Sequence, residues 1–137
     1  MRLAQGFELA GILAIELFVT KDERVIVNEL APRPHNSGHY TIEACSFDQF
    51  DAHIRGIAGW PLEQPELLKP AVMVNVLGQH VAPTRALIAE HPEWNMHDYC
   101  KAEVRHDRKM GHITVLTDDT RQTVADLERT GCWDDLK

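Results

Sequence analysis

The chain has 137 residues, a net charge of -7, 44% hydrophobic residues and three cysteines. This length is enough for one compact domain or two small lobes. The negative charge and the lack of a Lys/Arg-rich run exclude a nucleic-acid groove as the expected site. No apolar run is long enough for a membrane span, and the N-terminus lacks a signal-peptide pattern. We therefore expect a cytoplasmic protein with reduced thiols and no membrane partner.

Two short β-favouring runs follow a first helix in the predicted order of elements. The helix lies within residues 1–10 and ends near Gly11. The runs cover residues 12–19 and 25–30, and the polar cluster at 21–24 predicts the turn of an antiparallel hairpin. Because the first run is almost entirely apolar, we expect it to be covered on both faces.

The rest of the chain is predicted to alternate loops with short elements. Two prolines and a glycine exclude regular structure over residues 31–39. A helix then begins after Ser46, which forms a capping box with Gln49, and the helix ends at Gly59. The second half is predicted to contain a linker over 61–70, a strand over 71–77, a helix from near Pro83, two strands within 102–116 joined at 107–109, and a helix over 119–129.

Glu16 is the only charged residue in its apolar run, where an unpaired buried carboxylate is costly. If Thr20 pairs with Val25, Glu16 lies opposite Glu29. Like charges facing each other destabilise a sheet, and a cation between them would remove the conflict. Two carboxylates suit Mg²⁺, which takes further ligands from substrate phosphates and so points to a nucleotide. The alternative is that each glutamate is solvated or paired with an arginine, and the spacing alone favours neither.

The loop after the hairpin concentrates hydrogen-bond donors. An arginine can bind an oxyanion through two hydrogen bonds, and a histidine can donate a hydrogen bond or move a proton near neutral pH. A polar surface loop is the alternative, but so many donors beside a candidate metal pair favour an anion pocket. The donors are Arg33, His35, Asn36, Ser37 and His39.

The sequence from Glu16 to Val19, followed by VNELAPRPHNSGH over 27–39, closely resembles the N5-carboxyaminoimidazole ribonucleotide synthetases, a family of ATP-grasp enzymes. Further stretches that fit are TIEAC at 41–45, PAVMVNVLG at 70–78 and RKMGH at 108–112. The resemblance implies an α+β fold with antiparallel sheets. Residues 1–62 would be the C-terminal part of the ATP-grasp catalytic domain, and residues 70–137 a small C-terminal α/β domain rich in β-structure.

The resemblance also implies an activity. Such a ligase phosphorylates bicarbonate with ATP and then carboxylates the amine of aminoimidazole ribonucleotide. It implies the following roles: Glu16 and Glu29 hold Mg²⁺, or Mn²⁺ in its place; Asn28 and Glu29 form part of the ATP site; Arg33 and His35 act in catalysis on bicarbonate and carboxyphosphate; Asn36 and Ser37 line the substrate pocket; and Lys101 and Arg108 bind the ribose phosphate.

Two positions depart from related patterns. Many ATP-grasp enzymes have an asparagine two residues after the second metal glutamate, where this chain has Ala31. Only two protein ligands to the metal are therefore assigned. The family commonly has a glycine before the substrate lysine, where this chain has Cys100.

The resemblance begins late in the family's sequence and omits the N-terminal substrate domain and the lid over ATP. Because half of a nucleotide site cannot exclude water or orient ATP, we expect the chain alone to be inactive. A homodimer, in line with the family, or association through exposed apolar surface is also expected. Two other functions stay open: a different ATP-grasp ligase, such as a formate-activating purine enzyme, and a non-catalytic assembly module.

Overall fold

The fold is taken from a computed structural model that describes residues 2–134. Its contacts divide the chain into two compact units, residues 1–66 and 67–137. Each unit contains helices and an antiparallel sheet, so the predicted α+β class is confirmed. Within the described residues, no helix is both long enough and apolar enough to cross a bilayer.

The first helix of the first unit is shorter than predicted. Helix α1 spans Arg2–Gly6, and residue 1, where the prediction began, lies outside the described residues. The helix ends before Gly11 because the chain turns at Glu8, whose φ of 51° is left-handed. Two more helices follow later in the unit, α2 over Thr41–Ala44 and α3 over Gln49–Ala58.

Helix α3 begins at a different cap from the predicted one. The carboxylate of Asp48 accepts hydrogen bonds from two N–H groups of the first turn, as an N-cap does. The Ser46 hydroxyl instead accepts the N–H of Glu66 at 3.0 Å, so the predicted capping box with Gln49 is wrong. Gly59 ends the helix as predicted, at a left-handed φ of 67°.

A two-stranded antiparallel hairpin forms the sheet of the first unit. Strand β1 spans Ala14–Val19 and strand β2 spans Val25–Ala31. The hairpin is confirmed, but the assumed pairing of Thr20 with Val25 is wrong because Val25 pairs with Val19. Thr20 belongs to the turn, where its N–H donates to the carbonyl of Arg24 at 2.9 Å.

In the part of the chain that the structure describes, most apolar side chains of this hairpin are exposed. The prediction that both faces of β1 are covered is therefore wrong for this part of the chain. The exposed fraction reaches 73% at Val19 and 58% at Phe18. The other exposed apolar residues of the hairpin are Ile15, Leu17, Val25, Ile26, Val27 and Leu30.

The second unit is built on a three-stranded antiparallel sheet in the order β3-β5-β4. Strand β3 covers Ala71–Leu77, as predicted. The prediction of two strands within 102–116 is wrong: only β5, over Lys109–Leu116, lies there. The other hairpin strand is β4, over Asn95–Asp98, whose polar sequence gives little strand signal.

Two helices complete the second unit. Helix α4 spans Val81–Leu87 with Pro83 in its first turn, and α5 spans Thr120–Arg129 after the cap Asp119, both close to prediction. Ile113 of β5 is fully buried in the core of this unit. Short 3-10 turns lie at Asn36–Gly38, Gly78–His80 and Ile88–Glu90, so the loop over 31–39 contains one turn of regular structure that was not predicted.

Candidate functional site

A β-bulge in the hairpin sets the geometry of the two central glutamates. Glu16 pairs with Glu29, but the next pair is Leu17 with Val27, so Asn28 is an extra residue in β2. A bulge of this kind places two residues of one strand opposite one residue of the other. The prediction that Glu16 and Glu29 face each other is confirmed, because the bulge compensates for the one-residue error at the turn.

A third potential ligand lies beside this pair. One ligand atom from each of Glu16, Glu29 and His35 lies within 4.8 Å of the other two. The Nδ1 atom of His35 is 3.5 Å from an oxygen of Glu16. Two carboxylates this close repel each other unless a positive charge lies near both. The two carboxylates fit a divalent ion such as Mg²⁺ or Mn²⁺, which prefers oxygen ligands, and the His35 ring lies beside them.

The bulge residue supports the first glutamate directly. The side-chain amide of Asn28 donates to Glu16 at 3.1 Å, which orients the Glu16 carboxylate. Arg33 lies beside Glu29, with its guanidinium 3.8 Å from the Glu29 carboxylate and 60% exposed. Its other terminal nitrogen donates to the carbonyl of Pro34 at 3.0 Å. Asn28, Glu29 and Arg33 are therefore brought together with Glu16, as the sequence predicts.

The 3-10 turn after His35 fixes the histidine ring. The backbone N–H of Ser37 donates to Nδ1 of His35 at 3.4 Å, and the Ser37 hydroxyl lies 2.9 Å from the same atom. When Nδ1 accepts these bonds, the neutral ring carries its proton on Nε2. Ser37 thus helps to orient the ring of His35. Asn36, the first residue of the turn, is half-buried beside it.

Gln49 holds the backbone of this loop, and the sequence analysis missed that role. Its side-chain oxygen accepts the N–H of His35 at 2.9 Å, and its side-chain nitrogen donates to the carbonyl of His35 at 2.9 Å. The same nitrogen lies 2.8 Å from Nδ1 of His39. Gln49 is only 8% exposed. The spacing of Ser46 and Gln49 is typical of a capping box, and nothing in the local sequence indicates that the side chain of Gln49 contacts His35.

The second unit contains the two other predicted site residues. The ammonium group of Lys101 donates to the carbonyl of Lys109 at 2.6 Å and lies over the ring of Tyr99. Arg108 is exposed and donates to the carbonyl of Glu103 at 3.3 Å. Both are therefore on the loop between β4 and β5, close to the start of β5.

A turn before Lys101 explains the departure at Cys100. Cys100 has a φ of 51°, a conformation that glycine adopts without steric cost. Its N–H donates to Asp98 at 2.8 Å, and Arg85 donates to the other oxygen of Asp98 at 2.6 Å. These hydrogen bonds, first that from Arg85 and then that from Cys100, lower the pKa of the Asp98 carboxyl. Asp98 and Arg85 hold a turn that the sequence analysis did not connect with the site.

Comparison with known protein families gives two matches. Residues 1–50 match the ATP-grasp domain, and residues 71–126 match the phosphoribosylaminoimidazole carboxylase C-terminal domain. A curated relative, the N5-carboxyaminoimidazole ribonucleotide synthase of Staphylococcus aureus strain COL, is 48% identical over 127 residues, which are 92% of this chain and 34% of that protein. The chain thus spans about a third of the length of the curated relatives it matches.

Solved structures agree with these matches. The N5-carboxyaminoimidazole synthetase of Staphylococcus aureus complexed with ADP superposes with a TM-score of 0.88 at 47% identity, covering 94% of this chain and 35% of that chain. The N5-carboxyaminoimidazole synthase of Aspergillus clavatus, in complex with ADP and 5-aminoimidazole ribonucleotide, gives a TM-score of 0.77 at 34% identity, covering 88% of this chain and 34% of that chain.

Proposed function

Because this chain belongs to the family of N5-carboxyaminoimidazole ribonucleotide synthetases, we propose that it takes part in the ATP- and bicarbonate-dependent carboxylation of 5-aminoimidazole ribonucleotide. The observation that supports this best is the cluster of Glu16, Glu29 and His35, whose ligand atoms lie within 4.8 Å of one another. In our proposal residues 1–62 belong to the ATP-grasp catalytic domain, and residues 70–137 form the small C-terminal domain.

The acidic pair is the proposed metal site. Glu16 and Glu29 hold Mg²⁺, or Mn²⁺ in its place, and Asn28 and Glu29 contribute to the ATP site. A bound cation would neutralise charge on the phosphates of ATP, which is the main requirement of phosphoryl transfer. The hydrogen bond from Asn28 to Glu16 keeps one carboxylate oxygen occupied and leaves the other for the ion.

The proposed catalytic residues lie next to the metal site. Arg33 is exposed and placed beside Glu29, so its guanidinium is available to an oxyanion such as bicarbonate or carboxyphosphate. His35 orients the same anion, with a side chain only 12% exposed. Asn36 and Ser37 line the pocket. Preorganised donors of this kind are worth about 3–4 kcal/mol of transition-state stabilisation each.

Lys101 and Arg108 are proposed to bind the phosphate of 5-aminoimidazole ribonucleotide. Both are cationic, both come from the loop between β4 and β5, and each donates to a backbone carbonyl. We also propose that the protein forms a homodimer, which light scattering would test by its mass.

The proposed metal and nucleotide site can be tested on this chain directly. Mn²⁺ is titrated with and without ADP, and binding is followed by the relaxation of water protons. We expect the wild-type chain to bind Mn²⁺, and Glu16→Gln and Glu29→Gln each to weaken binding about tenfold or more, since each removes one of two charged ligands. Glu63→Gln, an exposed change of the same charge in the same unit, is the matched control.

Equal binding by all four proteins would contradict the proposed site. It would favour a non-catalytic module, because such a module has no metal site to lose. Loss of binding in Glu63→Gln as well would show that net charge, not the paired carboxylates, attracts the ion.

A further inference from the structure

Gln49 makes a set of contacts that a helix-capping role does not require. Its side-chain amide pairs with both the N–H and the C=O of His35, each at 2.9 Å, as one strand pairs with another. The second amide hydrogen points to Nδ1 of His39 at 2.8 Å. Because an amide nitrogen only donates, Nδ1 of His39 accepts, and the neutral His39 ring has its proton on Nε2.

The loop is shaped around this side chain. A Cβ atom at Gly38 would lie 2.5 Å from the side-chain oxygen of Gln49, so any larger residue at position 38 would require the amide of Gln49 to move. The backbone N–H of Gln49 donates to the Thr41 hydroxyl at 3.1 Å, and that hydroxyl donates to the carbonyl of Gly38 at 2.6 Å. Side chain and backbone of one residue therefore fix both ends of the turn that follows His35.

We propose that Gln49 is a positioning residue for the candidate metal and anion site, acting through His35. Its amide fixes the peptide group of His35, and this places the His35 ring 3.5 Å from Glu16. Gln49 itself is buried, and its side-chain amide is engaged by His35 and His39. This inference rests on the proposed function, since it specifies how the imidazole of that site is held.

The contact of Gln49 with His35 joins two distant parts of the chain, and for this reason it can restrict the position of the His35 ring. Gln49 is 14 residues from His35 and begins α3, a capped helix of ten residues. A loop held only by its own turn would let the ring of His35 move relative to the hairpin. Tying the loop to a helix end removes that freedom before the ion binds. Partners that orient a metal ligand commonly change metal affinity by about 10- to 100-fold when they are lost.

The test uses this chain with two substitutions at one position. Gln49→Met keeps a similar volume and removes every side-chain hydrogen bond, whereas Gln49→Glu keeps an acceptor for the N–H of His35. Gln64→Glu, in the exposed segment after Gly59, is the control for the added charge. The readouts are hydrogen exchange at the His35 amide, the ¹⁵N shifts of its ring, and Mn²⁺ affinity.

We expect Gln49→Met to speed exchange at His35 at least tenfold, to move its ring shifts and to weaken Mn²⁺ binding by about 10- to 100-fold. Gln49→Glu should restore protection of the His35 amide, and Gln64→Glu should match the wild type. Wild-type exchange, ring shifts and affinity in Gln49→Met would overturn the proposal. If Gln49→Met does not fold, Gln49→Glu decides: it loses the bond to the His35 carbonyl, so the ring shifts and Mn²⁺ affinity should still change, and values equal to those of the wild type overturn the proposal.

The outcome also separates this inference from the proposed function. If the wild-type chain binds no Mn²⁺, the proposed metal site fails. The exchange rate and ring shifts of His35 then still decide whether Gln49 positions the loop, because neither measurement needs a metal.

Discussion

Because Glu16 and Glu29 lie close together, a substitution at Glu16 should change the stability of the hairpin in opposite directions with and without a bound metal ion. Glu16→Gln removes one charge and keeps an oxygen for the hydrogen bond from Asn28. At 4.8 Å two unit charges repel by about 0.9 kcal/mol in the dielectric of water and about 3.5 kcal/mol at an effective dielectric of 20. Since the two side chains are 37% and 49% exposed, we expect the metal-free hairpin of Glu16→Gln to be more stable by about 1 kcal/mol.

A divalent cation should reverse this order. A ligand present at 100 times its Kd stabilises the state that binds it by about 2.7 kcal/mol, and one present at ten times its Kd by about 1.4 kcal/mol. At a metal concentration of about 100 times its Kd the wild-type hairpin gains the first amount, and Glu16→Gln, which has lost a charged ligand and binds about tenfold or more weakly, gains at most the second. The same substitution is therefore expected to stabilise the hairpin in EDTA and to leave it less stable than the wild type in Mg²⁺ or Mn²⁺.

Amide hydrogen exchange measures both effects at the place where they occur. Exchange rates of the cross-strand amides of β1 and β2 give the free energy of opening the hairpin without assuming that the whole chain unfolds together. Glu63→Gln serves as the charge control, and measurements at low ionic strength keep the repulsion unscreened. A hairpin that is destabilised by Glu16→Gln in EDTA, or that responds to metal equally in both proteins, would refute the reasoning.

Two further predictions concern the turn before Lys101. Cys100→Gly should raise the free energy of unfolding of the second unit by about 0.5–1 kcal/mol, because glycine adopts the φ of 51° without strain, whereas Cys100→Ala should give no such gain; chemical denaturation measures both. The second unit should also lose stability as pH falls through the folded-state pKa of Asp98, since the hydrogen bonds from Arg85 and then Cys100 lower that pKa and their contribution is complete only above the unfolded value of about 3.9. Thermal unfolding between pH 5 and 2 should show this loss, and Asp98→Asn should reduce it.

Equal stabilisation by alanine and glycine at position 100 would mean that loss of the thiol, not relief of φ, causes the gain. A pH profile of Asp98→Asn that matches the wild type would mean that the Asp98 carboxylate contributes nothing to the acid sensitivity of the unit.

Much of the candidate site could be predicted from local sequence, and the hairpin shows the limit of that prediction. The polar cluster after Val19 predicts a turn, and a hairpin with that turn places Glu16 opposite Glu29. The pairing at the turn was still wrong by one residue, and the bulge at Asn28 corrected it. A bulge depends on how twist and side-chain packing are accommodated along both strands, so the residue pattern of one strand does not specify it.

Errors in the second unit have a similar cause. Strand β4, with the sequence NMHD, has no alternation of apolar and polar residues and becomes a strand only by pairing with β5. Residues 102–108 alternate between apolar and polar side chains more regularly than β4 does. Asp107 nevertheless has a φ of 58°, and the segment forms no strand. Tertiary pairing outweighs intrinsic β-propensity here, as it commonly does for short strands.

The local sequence predicts which side chains are candidates for a metal site and an anion site, and that Glu16 and Glu29 face each other across a hairpin. These predictions need only neighbouring residues, because the turn and the motif over 27–39 each lie within a few positions of the chain. How these side chains are held could be seen only in the folded chain. The clamp of Gln49 on His35 spans 14 residues and the bond of Arg85 to Asp98 spans 13, and side-chain hydrogen bonds at such separations are set by the packing of helices and strands.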